Sequence, residues 1–150
     1  MKLRKLALAA FVGSMIALPG IAGADDEGTI KYRQSVMKAV GGHVGAIGSI
    51  AKGEGGSADH MKAHTAALAD LATMVEAAFK DKVVNEEKSR SLGKIWEDWD
   101  GFAKAAGAMK EATAALAAAA AKGEDVGTAL KATFDSCKGC HKDFRAEKKG

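Results

Sequence analysis

The chain has 150 residues, enough for one domain and too few for two ordinary ones. It is 47% hydrophobic but only 5% aromatic, with a single proline, which favours alanine-rich helices and argues against a β-sandwich or barrel. Its 22 basic and 19 acidic residues give a formal charge of +3, but three of the basic ones stand at the N-terminus.

Met1 to Ala24 has the pattern of an export signal. Lys2, Arg4 and Lys5 form a basic start, and the run from Leu6 to Leu18 is apolar and uncharged. Pro19 and Gly20 then break the helix, and Ala22-Gly23-Ala24 is the small–x–small pattern that signal peptidase accepts. The apolar run is shorter than the roughly 20 residues of a membrane span, so cleavage after Ala24 is expected, with no membrane attachment afterwards. Residues 25–150 then form the mature domain, with 19 basic and 19 acidic residues. Such a balance removes the electrostatic footprint of a nucleic-acid binder, and export places the protein in the periplasm.

Four helical segments follow. In the first, Ile30, Arg33, Met37, Val40, Val44, Ile47 and Ala51 recur at four-and-three spacing, one face of a helix. Gly41, Gly42, Gly45 and Gly48 interrupt it at about 1 kcal/mol each against alanine, so something bulky or another backbone is expected to come close. Lys52-Gly53 ends this helix, and Ser57 is placed to cap the next. The second segment carries Met61, His64, Leu68, Leu71, Val75 and Phe79 on one side. After a polar stretch from Asp81 to Ser89, the third runs through Leu92, Ile95, Trp96, Trp99, Phe102, Ala106, Met109, Thr113 and Leu116. The fourth shows Val126, Leu130, Phe134, Cys137, His141 and Phe144. Four amphipathic helices with short links predict an all-α fold, an antiparallel four-helix bundle in one domain.

The chemistry lies in the last segment. The only two cysteines stand in Cys137-Lys138-Gly139-Cys140-His141, the C-x-x-C-H signature of haem c attachment. Residues three apart lie near one helical face, so both thiols reach the two vinyl groups of one porphyrin, and His141 presents its imidazole to iron. A structural zinc site needs two further ligands; His60 and His64 are four apart but no second motif pairs convincingly with the thiols. A thioredoxin-like dithiol would open a helix after a strand rather than lie deep in the last helix. His64 reads as a core histidine and His60 as an exposed one. His43 lies one residue off the main stripe, beside Val36 and Ile50.

Several stretches together resemble the class II c-type cytochromes, cytochrome c-prime and its low-spin relatives. Tyr32-Arg33-Gln34-Ser35-Val36-Met37 resembles their first-helix motif, Lys52-Gly53 the usual end of that helix, and Lys94-Ile95-Trp96-Glu97-Asp98 the start of the third helix. Cys137 to His141 with Phe144 and Arg145 resembles the haem-bearing end. The resemblance implies one haem c, covalent through Cys137 and Cys140, with His141 as proximal iron ligand on the fourth helix and the first helix on the distal side. It further implies that Arg33, Gln34 and Trp96 border the haem, with Arg33 offsetting a propionate charge, and that Arg145 lies beside the proximal imidazole. Met37 takes the family's distal position. As a second iron ligand it would give an electron carrier with redox partner proteins; as mere packing it would leave a site for NO or CO. Homodimers through the first two helices are common in this family. No nucleophile–base pair or acid–base constellation stands out, so no enzymatic activity is expected.

Overall fold

The computed structural model describes residues 25–147, and the signal sequence expected over residues 1–24 lies outside them. The chain enters α1 (Asp26–Ala51) through an N-cap, where the Asp25 carboxylate accepts from the Gly28 N–H at 2.6 Å. Asp26 and Glu27 add negative charge to the first turn, complementing the helix dipole. The buried positions of α1 are Ile30, Arg33, Val36, Val40 and Ile47. The face is thus turned slightly from the expected stripe: Val36 is inside, whereas Met37 and Val44 are half-buried at its edge and Ala51 is exposed.

Ser57 caps α2 (Ala58–Ala78) by accepting from the His60 N–H at 3.2 Å. Thr65 and Ala72 join Met61, Leu68 and Val75 inside, while His64 and Leu71 sit half-buried at the margin. The third expected segment is interrupted. A single turn, α3 (Lys94–Glu97), is followed by Asp98 at φ −126° and ψ 62°, which caps α4 (Trp99–Lys122) by accepting from the Gly101 N–H at 3.1 Å. A Cβ at residue 101 would collide with the Asp98 carboxylate, so glycine permits this cap. Gly123, left-handed at φ 71°, ends α4 and leads into α5 (Gly127–Phe144).

Helix α1 packs on α2, α2 on α4 and α4 on α5, whereas the side between α5 and α1 is not closed by comparable packing among the described residues. The bundle is therefore a three-sided wall with one open seam. Thr65, Thr113 and Thr133 are fully buried and donate their hydroxyls to the carbonyls of Met61, Met109 and Ala129, each at 2.9 Å, which satisfies them inside an apolar core. At one end Phe102 lies 5.3 Å from Phe79, 5.6 Å from Trp99 and 5.4 Å edge-on from Phe144, ring centre to ring centre. This aromatic knot ties α2, α4 and α5 together beneath the C-x-x-C-H segment.

Residues 79–93 form a long connection docked on the ends of α1 and α5. The Arg90 side chain donates to the Ala146 carbonyl at 2.8 Å, the Leu92 N–H to the Phe144 carbonyl at 3.1 Å, and the Ala146 N–H back to the Arg90 carbonyl at 2.8 Å. Ser91 and Arg145 thereby make an isolated antiparallel bridge.

Candidate functional site

Helix α5 presents Phe134, Cys137, Lys138, His141, Lys142 and Arg145 to a groove of about 490 Å³, completed by Arg90 from the connection and by Ala146 and Glu147. That size falls in the range of small-molecule and cofactor sites. Phe134 is 41% exposed, an aromatic ring left uncovered at the groove although the bundle has an interior to offer it. Cys137 opens on this groove, whereas Cys140 packs against the core cluster. The two half-buried sulfurs are free thiols.

Electrostatics at the groove keep its donors neutral. Burial pushes the Cys137 thiol up, and burial reinforced by Cys137 and Asp143 pushes Cys140 up to about 11. Partial burial lowers the His141 pKa, and the nearby charges of Arg145 and Arg90 lower it further. Arg145 Nη1 stands 3.3 Å from His141 Nδ1. His141 therefore stays as uncharged imidazole at neutral pH, the form that binds metal ions.

The resemblance assigned Arg33 to a propionate, but the structure gives its guanidinium different partners. It is 2% exposed, and Nε donates to the Ala78 carbonyl at 3.0 Å, Nη1 to Val83 at 2.9 Å and Nη2 to Asp81. The cation also sits over the rings of Phe79 and Trp96, 5.2 and 4.9 Å from their centres. Trp96 in turn donates its indole N–H to the Phe79 carbonyl at 2.8 Å. Gln34 donates to the Lys88 carbonyl at 2.6 Å. Arg33, Gln34 and Trp96 thus hold the 79–93 connection, whose carbonyls converge where α1 begins. Arg90 and Lys138 also line the groove; Lys138 occupies a variable position of the C-x-x-C-H motif, and Arg90 is an isolated basic residue that carries no motif signal.

Met37 lies on the flank of α1 away from α2. His43 touches α2 through His64, and six residues at about 100° each place Met37 roughly 120° around the helix from it. Gly41 and Gly48 share Met37's flank by the same count, and a Cβ on either would meet nothing within 4 Å. Among the described residues nothing packs against this flank at those two positions, which leaves room there for a bulky group.

A family model described as Cytochrome C' matches residues 28–145. The chain belongs to the cytochrome c' family. Among similar proteins, a cytochrome c-556 from Agrobacterium tumefaciens is 37% identical over 125 residues, covering 82% of this chain and 98% of the relative. A cytochrome c' from Pararhodospirillum photometricum is 33% identical, covering 81% and 99%. A solved cytochrome c prime from Alcaligenes xylosoxidans, a ferrous variant with bound NO, superposes with a TM-score of 0.77 at 28% identity, covering 85% of this chain and all of that one. A carbon-monoxide-bound variant from the same organism gives 0.74 at 29%, covering 83% and 98%. The fold is thus the cytochrome c' four-helix bundle, and the family's cofactor is c-type haem. The residues present fit that group: two thiols three apart with a neutral imidazole next to them and an uncovered aromatic ring beside them.

Proposed function

We propose that the mature protein, released by cleavage after Ala24, is a periplasmic haem c electron carrier with Cys137 and Cys140 as the covalent anchors. His141 is the proximal ligand and Met37 the distal one. Haem c supplies a one-electron couple whose potential the axial ligands and surroundings tune. The carrying observation is that Cys137 and His141 open on a single groove at the molecular surface, within reach of a docking protein. Arg90, Lys138, Lys142 and Arg145 ring that groove with positive charge, which suits propionates and an acidic redox partner. Arg145 stands at the Nδ1 side of the imidazole, whose protonation is disfavoured first by burial and then by the Arg145 and Arg90 charges. Met37 has a flexible thioether only half-buried at the seam, free to swing toward an iron there. Arg33, Gln34 and Trp96 act by fixing the connection that carries Arg90. A homodimer through α1 and α2 fits the exposed Tyr32 and Met74 on those helices, 51% and 44% accessible.

A second reading has specific support: the solved relatives just described carry NO and CO. In that reading Met37 only packs, and the distal position takes a small diatomic gas. One experiment separates the two. The ferric and ferrous absorption spectra are recorded before and after CO for the wild type and for Met37→Ala. A carrier gives a low-spin wild type that CO does not change, and a Met37→Ala variant that turns high-spin and binds CO. A wild type that is already high-spin and responds to CO assigns the protein to gas binding instead.

A further inference from the structure

Three of the chain's four histidines lie away from the haem motif, and two of them meet. His43 on α1 and His64 on α2 face each other with Nδ1 to Nδ1 at 3.0 Å and their rings nearly edge-on, centres 5.1 Å apart. Both are half-buried, and neither takes part in the site described above. Residues about one turn away, Ala39, Ala46 and Ala67, are small and partly exposed. The pair bridges two packed helices at adjacent heights, so its geometry is fixed by the backbone rather than by flexible side-chain reach.

We propose that His43 and His64 form a chelating site for a divalent transition metal across the α1–α2 interface. Neutral imidazole binds such metals through either ring nitrogen. With a metal–nitrogen bond of about 2.0–2.1 Å, two nitrogens 3.0 Å apart subtend roughly 90–95° at the metal. That angle is the cis angle of square-planar or octahedral coordination and is well short of tetrahedral. The site therefore prefers Cu(II) or Ni(II) to zinc, with water completing the coordination sphere. Without metal one ring donates its Nδ1–H to the other's Nδ1; binding of metal at both Nδ1 atoms requires that ring to take its Nε2–H tautomer, with no net release of a proton.

The test uses tag-free holoprotein. Isothermal calorimetry with Ni(II) is run on the wild type and on His43→Asn, His64→Asn and His60→Asn, with circular dichroism confirming that each variant is folded. The expected result is one equivalent bound by the wild type, weakened about tenfold or more in both interface variants and retained in His60→Asn. The Cu(II) EPR spectrum of the wild type, after subtraction of the ferric haem signal, supplies a readout that needs no variant, and coupling to two imidazole nitrogens is expected. Loss of binding in His60→Asn and His64→Asn with retention in His43→Asn overturns the proposal, because the metal would then sit on the exposed i, i+4 pair of α2. Absence of stoichiometric binding, or an EPR spectrum without two imidazole nitrogens, overturns it as well and leaves the pair as a hydrogen bond only.

Discussion

Arg33→Ala is expected to lower the melting midpoint of the holoprotein by more than about 10 °C. The side chain is 2% exposed, and its guanidinium donates to three main-chain carbonyls on different residues. Removing it leaves the Ala78, Asp81 and Val83 carbonyls under-satisfied and strips two aromatic faces of their cation, a loss of about 3–5 kcal/mol. That is a large part of the 5–15 kcal/mol by which domains are ordinarily stable, a range roughly valid across families. Burial lowers the arginine pKa and Asp81 opposes this, but a guanidinium remains charged throughout the working range. Arg33→Lys is expected to recover only part of the loss, since a single ammonium cannot span three carbonyls on different residues. Thermal melts followed by circular dichroism check both variants. A fall of less than about 3 °C for Arg33→Ala would show that the connection holds itself in place.

Phe102→Ala is expected to cost about 3–5 kcal/mol in denaturant unfolding, by removing the ring on which Phe79, Trp99 and Phe144 converge. The ring is 3% exposed, so the cavity opens in the interior rather than at a surface that water refills. Because Phe144 closes α5 three residues after His141, the loss falls on the haem-bearing end as well as on the core. Phe102→Leu, which keeps most of the volume, is expected to lose less than half as much. Urea titrations monitored by helicity give both values, and equal losses for the two variants would mean that the pocket collapses around the smaller side chain.

The four long helices could be read from apolar spacing because each buries one continuous face, and local chemistry marked several of their ends. Ser57 caps α2, and Lys52-Gly53 closes α1, as their side-chain chemistry and backbone freedom predict. The break at Asp98 escaped because the apolar spacing runs unchanged from Leu92 to Leu116. What interrupts it is Asp98, whose side chain leaves the apolar pattern intact while capping a new helix by accepting from the Gly101 N–H. The slot of Arg33 on the stripe was visible, but the three carbonyls it donates to lie 45 to 50 residues away and meet it only once the connection is folded. The glycines of α1 signalled a close approach, and among the described residues no other group meets them. Of the site, the C-x-x-C-H segment was fully legible, since covalent attachment demands its spacing. Arg90 was not, because only tertiary folding brings it to the groove.

Helix ends are ordinarily the first parts of a fold to open, and the cysteine-bearing turns of α5 lie close to one. The antiparallel pairing of residues 90–92 with 144–146 alters this kinetic position. The amides of Leu92 and Ala146 exchange with solvent only when both strands of that clasp part together, which joins the end of α5 and the inter-helix connection into one cooperative opening unit. The segment that carries the thiols and the imidazole is thus tied to the connection and is expected to fray less than a free helix end.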